Sequence, residues 1–295
     1  NRDASKPFFM NMCFYLVHTP LQAPEDLVQK YRDKAKAMGL NDDEACERGE
    51  IHPRSKPDHV FHVNRRRFQS HPVYAAMIEK LDQNVGKILD KLDELGIADD
   101  TVVMFTSDNG GLATSEGSPT CNAPLREGKG WMEEGGIREP LLVRWPGKVA
   151  PASKTDAYMT SPDFYPTFLE IAGLDPIPDQ HCDGMSFLPA LRGEPFERGP
   201  IYWHYPHYSN QGSTPTAAVR EGDYKLIEFF EDNHVELYNL REDIGEASNL
   251  ADQMPQRAFA MQQQLEDWRV DVEAIVPEPN PDYVPPTDPA AAPEV

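Results

Sequence analysis

Between Pro72 and Leu95 the apolar residues Tyr74, Met77, Ile78, Leu81, Val85, Ile88, Leu92 and Leu95 recur at steps of three and four, and Gly96 ends the run. That spacing lays one apolar stripe along a helix. The apolar run "TVVMF" follows at once; it is too short for a helix and reads as a buried strand. A helix that must hide one face, next to a strand that is apolar on both, demands layers. Two further runs extend the pattern. "FFMNMCFYLV", Phe8 to Val17, is closed by His18 and Pro20, and "PLLVRW" ends in the Trp145-Pro146-Gly147 turn. The expectation is a mostly parallel sheet sandwiched by helices, with ligands gathered at the carboxyl ends of its strands.

Two sites fall at such ends: His18 after the first run, and Asp108-Asn109 in "FTSDNGG" after the second. Asp-Asn before Gly-Gly is by itself a tight-turn signature. The same residues offer a carboxylate and a carboxamide oxygen on a glycine-freed loop, which is what a hard dication needs. Lys129 stands between two glycines in "EGKGW", where its ammonium is either an exposed loop charge or a contact for a bound anion. Residues 42 to 70 are polar and irregular, and their one basic cluster, "NRRRF" at 64 to 68, reads as a solvated face.

Past "SPDFYPTFLEIAG", a short helix begun by Ser161 and Pro162 and ended by Gly173, the pattern changes. "IYWHY", "AAVREGDYKLIEFF" with a turn at Gly222, and "VELYNL" predict a small antiparallel sheet. A helix follows from Pro255 to about Ala274, burying Phe259, Met261, Leu265 and Trp268. Three regions are therefore expected: 1–198, an α/β domain; 199–275, a small α+β domain; and 276–295, a proline-rich extended tail.

Charge narrows the partners. With 49 acidic against 28 basic residues the net charge is −21, which excludes nucleic acid and anionic membrane surfaces as partners. An anionic ligand would need local cations to collect it. The four cysteines, Cys13, Cys46, Cys121 and Cys182, form no C-x-x-C pair, so no zinc knuckle is indicated, while disulfides stay open. No stretch is apolar for long enough to span a bilayer, and the first residues are no signal peptide.

The order of motifs is more specific than any one of them. V-H-T-P, "YAAMIEKLDQNVGKIL", "FTSDNGG", "NAPLREGKGWMEEGGIREPLLVRWPG", "PDFYPTFLEIAG" and "DGMSFLPALRGE" together resemble the sulfatase family, as do "REGDYKLI" and "ELYNLREDIGEASNLA" further on. The resemblance implies an alkaline-phosphatase-like α/β fold with a smaller C-terminal α+β domain, and calcium-assisted hydrolysis of sulfate esters; magnesium is the lesser alternative. It places Asp108 and Asn109 on the calcium, Lys129 on the sulfate and His18 beside the leaving oxygen. It also implies a carbohydrate sulfate as substrate, small or oligomeric, and a periplasmic or extracellular location. "YWHYPHYSNQG" then offers His204 and His207 either as a wall for a sulfated sugar or as surface histidines on a packed aromatic core.

One departure is plain. The family's nucleophile is a formylglycine made from Cys or Ser in C/S-x-P-x-R, and this sequence has no such motif. "CNAPLR" carries one residue too many before its proline, and "SKPDH" has His59 where arginine belongs. The paired acids that complete the family's calcium shell are missing too, Asp42-Asp43 being a poor stand-in. The expectation is a fragment of a sulfatase, inactive alone, whose first strands lack partners. A phosphoric-ester hydrolase of the same superfold and a noncatalytic anion- or sugar-binding relative are the alternatives.

Overall fold

The computed structural model describes residues 5 to 286. In chain order its elements are α1 (Glu25–Ala37), β1 (Cys46–Ile51), β2 (His62–Arg66), α2 (Pro72–Glu94), β3 (Val103–Thr106), α3 (Glu134–Ile137), β4 (Leu141–Arg144), α4 (Phe164–Ile171), α5 (Leu188–Leu191), β5 (Ile201–Tyr205), β6 (Thr216–Glu221), β7 (Tyr224–Phe229), β8 (Val235–Asn239) and α6 (Pro255–Asp271).

The helix expected from Pro72 forms as α2, with Pro72 in its first turn and the His71 ring accepting from Tyr74 N–H at its start. Its stripe meets α1, where Val28, Ala76 and Met77 are buried and Lys30 pairs with Glu79 at 2.6 Å. "TVVMF" contributes β3 and "PLLVRW" contributes β4, but they pair with each other antiparallel, Val103 opposite Arg144 and Thr106 opposite Leu141. The mixed α/β class with its smaller antiparallel C-terminal sheet stands, and the strand pairs among the described residues are all antiparallel rather than mostly parallel.

The first apolar run is a correction. Phe8 to Val17 forms no strand, and Phe9 and Tyr15 are 73% and 94% exposed. An extended segment gains little until a neighbour satisfies its backbone, and none of the described strands adjoins it. Phe9 makes an edge contact to Phe168 of α4, 5.4 Å between ring centres.

Residues 42 to 70 are less irregular than their polarity suggests. β1 and β2 form an antiparallel hairpin, and "NRRRF" is only in part a solvated face: Asn64 and Arg67 are exposed, while Arg65 and Arg66 turn to internal partners. Arg66 is buried, with its guanidinium 2.7 Å from Asp42 and 2.6 Å from Ser70 Oγ. Arg65 spans Glu50 at 2.6 Å and Glu127 at 2.7 Å. A strand whose charges are paired by acids from elsewhere shows no apolar alternation.

The C-terminal sheet forms as expected, in the order β5-β6-β7-β8, each neighbour antiparallel. Alternation sorts its residues onto two faces. Ala217, Val219, Leu226 and Leu237 pack against Ala258, Met261 and Leu265 of α6, while Ala218, Ile227 and Tyr238 face Met132 from the larger region. Each buried Leu or Ile contributes about 1.5–3 kcal/mol through removal of apolar surface from water. Tyr202 stacks flat on Trp268, rings 4.8 Å apart. The expected α6 residue Phe259 is instead exposed. All four cysteines are free thiols. No helix among the described residues is long and apolar enough to cross a membrane. Residues 276 to 286 carry no helix or strand, and the remainder of the proline-rich tail lies outside the described residues.

Candidate active site

Three glycine-bearing motifs interlock through their backbones. In "DNGG", Gly110 N–H donates to Gly136 O at 3.0 Å, and Gly111 O accepts from Lys129 N–H at 3.1 Å. Within the second loop Gly135 N–H reaches back to Arg126 O at 2.7 Å. A Cβ on Gly110 would lie 1.8 Å from Gly135 O, and one on Gly128 would lie 2.3 Å from Gly111 O. Backbone this close admits only glycine. Asn122 completes the lock: its amide donates to Gly111 O and to Glu127 O, both at 2.9 Å, and its oxygen accepts from Gly111 N–H at 3.2 Å. The stretch "CNAPLR", which resembles a nucleophile motif without matching it, is thus a clamp whose working residue is Asn122.

Lys129 projects from this lock to His18. Lys129 Nζ is 2.9 Å from His18 Nε2, across 111 positions of sequence. His18 Nδ1 is 2.8 Å from Thr19 O, a carbonyl that only accepts, so this network assigns the Nδ1 proton and leaves Nε2 to accept from the ammonium. Thr19 in turn donates to Glu116 at 2.7 Å. Two groups expected to act on one anion are therefore brought together.

Asp108 and Asn109 stand on the same locked loop, Asp108 exposed and Asn109 half-buried, the Asn109 amide donating to the Asp108 carboxylate. No group of three or more His, Cys, Asp or Glu among the described residues could by itself hold a metal. The donor chemistry of Asp108 and Asn109 nonetheless fits calcium, supplying two oxygens of the six to eight it takes. Glu139 strengthens that fit. Its Oε1 is buried without a hydrogen-bond partner, and its carboxyl is pushed up to about 7, first by burial and then by the charge of Asp108. Carboxyls crowded so that one must hold its proton favour a nearby cation. Glu139 was not legible in sequence, where it is one charged residue before Pro140.

His204 and His207 lie elsewhere. His204 Nε2 contacts Ile275 O at 2.8 Å and its ring meets Phe230 edge-on, while His207 packs on Tyr205. His204 lies on β5 and His207 in the loop just after it, and neither takes part in the Lys129–His18 contact.

The lock is bolted to that sheet by buried charge. Lys225 of β7 is fully buried, 3.1 Å from Glu134 and 2.8 Å from Glu246. Glu246 also accepts from Glu134 N–H at 2.7 Å. Burial alone would raise the Glu134 carboxyl, but Lys225, Arg220 and Arg138 together hold it below its usual range. Arg126 reaches Glu236 at 3.3 Å and the Tyr238 hydroxyl at 2.9 Å. The loop that carries Lys129 is positioned from both sides.

Comparison with known proteins follows the same line. Residues 1–174 match the family model described as Sulfatase, and residues 128–271 match one described as N-sulphoglucosamine sulphohydrolase, C-terminal. Over 291 residues the chain is 34% identical to a protein named Sulfatase from Formosa agariphila, covering 90% of this chain and 47% of that one. Its fold is similar to the crystal structure of Ps i-CgsB in complex with k-i-k-neocarrahexaose, with TM-score 0.65 and 26% identity over 87% of this chain and 48% of the other. It is also similar to the structure of BT4656 in complex with its substrate D-glucosamine-2-N,6-O-disulfate, with TM-score 0.57 and 28% identity over 68% and 40% of the two chains. The chain spans about half the length of the first of these relatives.

Proposed function

The chain belongs to the sulfatase family, and from that premise we propose that it serves the hydrolysis of a sulfate ester carried on a carbohydrate. The observation that carries this reading is the meeting of Lys129 Nζ and His18 Nε2 at 2.9 Å on an otherwise acidic protein. Two nitrogen groups converge on one point. With a sulfate ester there, the ammonium turns from His18 to neutralise a non-bridging oxygen, and Nε2, so released, takes a proton from solvent and gives it to the bridging oxygen as the alcohol leaves. Asp108 and Asn109 would hold a calcium ion, which supplies further neutralisation of the sulfate's charge. The family's formylglycine nucleophile has no counterpart motif in this sequence, so the roles proposed for its residues are binding, charge neutralisation and proton transfer.

The carbohydrate part of the proposal is supported by the two structural relatives, whose bound molecules are a neocarrahexaose and a sulfated glucosamine. A location outside the cytoplasm, where such sugars are met, belongs to the same proposal. The test is competitive: binding of an aryl sulfate and of the matching aryl phosphate, read by calorimetry, with Lys129→Ala alongside. Preference for the sulfate, lost in the variant, supports the reading. Preference for the phosphate replaces it with a phosphoric-ester hydrolase.

A further inference from the structure

Beside the Lys129–His18 pair lies a cavity of about 430 Å³ that no role above employs. One wall is the β1–β2 hairpin, contributing His52, Phe61 and Asn64; the other is formed by Ser115 and Glu116 with Asn210. Glu116 ties it to the reactive pair. One of its carboxylate oxygens accepts from Thr19, the neighbour of His18, at 2.7 Å, and the other accepts from the Asn210 amide at 3.3 Å. His52 Nε2 lies 3.3 Å from Asn210 O, so the two walls are cross-linked.

The lining has a recognisable chemistry. His52 and Phe61 stack at 4.5 Å and 29°, and Phe61 remains partly exposed. A flat aromatic surface suits the C–H face of a sugar ring. Asn64 and Asn210 carry carboxamides, and Ser115 a hydroxyl, each able both to donate to and to accept from hydroxyl groups. Burial holds the His52 imidazole below its usual range, so it adds no positive charge. Glu116 accepts hydroxyl protons and repels a second sulfate. The volume lies within the range of sites that enclose a small organic ligand.

We propose that this cavity is a saccharide subsite for an uncharged sugar unit linked to the sulfated one, a proposal that rests on the carbohydrate reading of the adjacent pair. The sulfate is held by Lys129, and the neighbouring unit lies against Phe61 with its hydroxyls on Asn64, Asn210 and Glu116. Such a subsite makes the protein a reader of chain context, not only of the sulfate group.

Calorimetric titration of the full chain tests it, with k-i-k-neocarrahexaose and D-glucosamine-2-N,6-O-disulfate as probes and Phe61→Ala, Asn64→Ala and Lys129→Ala as variants. The side chains at 61 and 64 reach the surface, and matched melting curves confirm that their variants fold. The expected result is that the hexasaccharide binds more tightly than the monosaccharide, and that Phe61→Ala and Asn64→Ala each weaken the hexasaccharide about tenfold while leaving the monosaccharide unchanged. Lys129→Ala weakens both probes. If the monosaccharide binds through Lys129 but the hexasaccharide gains nothing, or loses nothing in the hairpin variants, the subsite is refuted and the sulfate reading survives. If neither probe binds, or Lys129→Ala changes neither, both fall.

Discussion

Lys129 Nζ and His18 Nε2 stand 2.9 Å apart, one on a glycine-locked loop and the other after a run that forms no strand. The two groups therefore differ in how firmly they are held. Replacing Lys129 by Ala removes a fixed positive charge and, in a form of the protein that also carries the family's C/S-x-P-x-R nucleophile, should lower turnover of any sulfate ester on the order of 10²-fold, the scale of one preorganised electrostatic contact. His18→Ala should depend on the leaving group. The expected loss is larger with a sugar sulfate, whose alcohol needs a proton, than with an activated aryl sulfate, whose phenolate does not. Equal losses with the two substrates would remove the acid role.

Asp108→Ala takes away the only carboxylate of the "DNGG" loop. Bound calcium, read by elemental analysis after dialysis, should fall together with affinity for an aryl sulfate. The same change also removes the charge that helps raise the Glu139 carboxyl, so that carboxyl should titrate lower in the variant by NMR. Unchanged calcium content would remove Asp108 from the metal site.

Lys225→Met leaves Glu134 and Glu246 buried without their shared ammonium. Breaking one side of such a pair costs about 3–5 kcal/mol, whereas removing all its charges together can be neutral. The single variant should therefore melt far below the parent. Lys225→Met combined with Glu134→Gln and Glu246→Gln should recover much of that loss by calorimetry.

Glu133 gives the pH prediction. Burial pushes its carboxyl up from 4.5 to about 7, Arg126 offsetting only part of the cost. The folded protein thus keeps a proton that the unfolded chain releases near pH 4.5, and the contribution is full below that pH and lost as pH rises through about 7. Glu133→Gln imitates the protonated form. It should match the parent in melting temperature at pH 4.5 and exceed it at pH 8, by at most about 3 kcal/mol in stability.

How far the sequence revealed this molecule depended on where each residue finds its partner. α2 and the β5–β8 sheet were legible because their apolar residues pack against neighbours in the regular periods of helix and strand. The β1–β2 hairpin was not, because Arg65 and Arg66 are satisfied by Asp42, Glu50 and Glu127 rather than by water. α1 has acids in its first turn and lysines in its last, yet buries only Val28, too thin a stripe to register. The run from Phe8 to Val17 misled for the opposite reason: its composition suits a strand, but composition cannot provide the second strand. At the site, motif order brought out Lys129, His18, Asp108 and Asn109. Asn122 and Glu139 were hidden because a clamp on backbone carbonyls and an unpartnered carboxyl leave no pattern along the chain.

The interlocked glycines divide the molecule's capacity for change. Because Gly110, Gly128 and Gly135 each press against another backbone, the loops bearing Asp108 and Lys129 move as one piece or not at all. Adaptation to a new sulfated chain must then be written in the rim, and the β1–β2 hairpin is the segment free to be rewritten. A library randomised at the exposed positions 54, 56 to 59, 61 and 64 would explore substrate range while the chemistry stayed in register, much as a tool keeps its handle while the bit is exchanged.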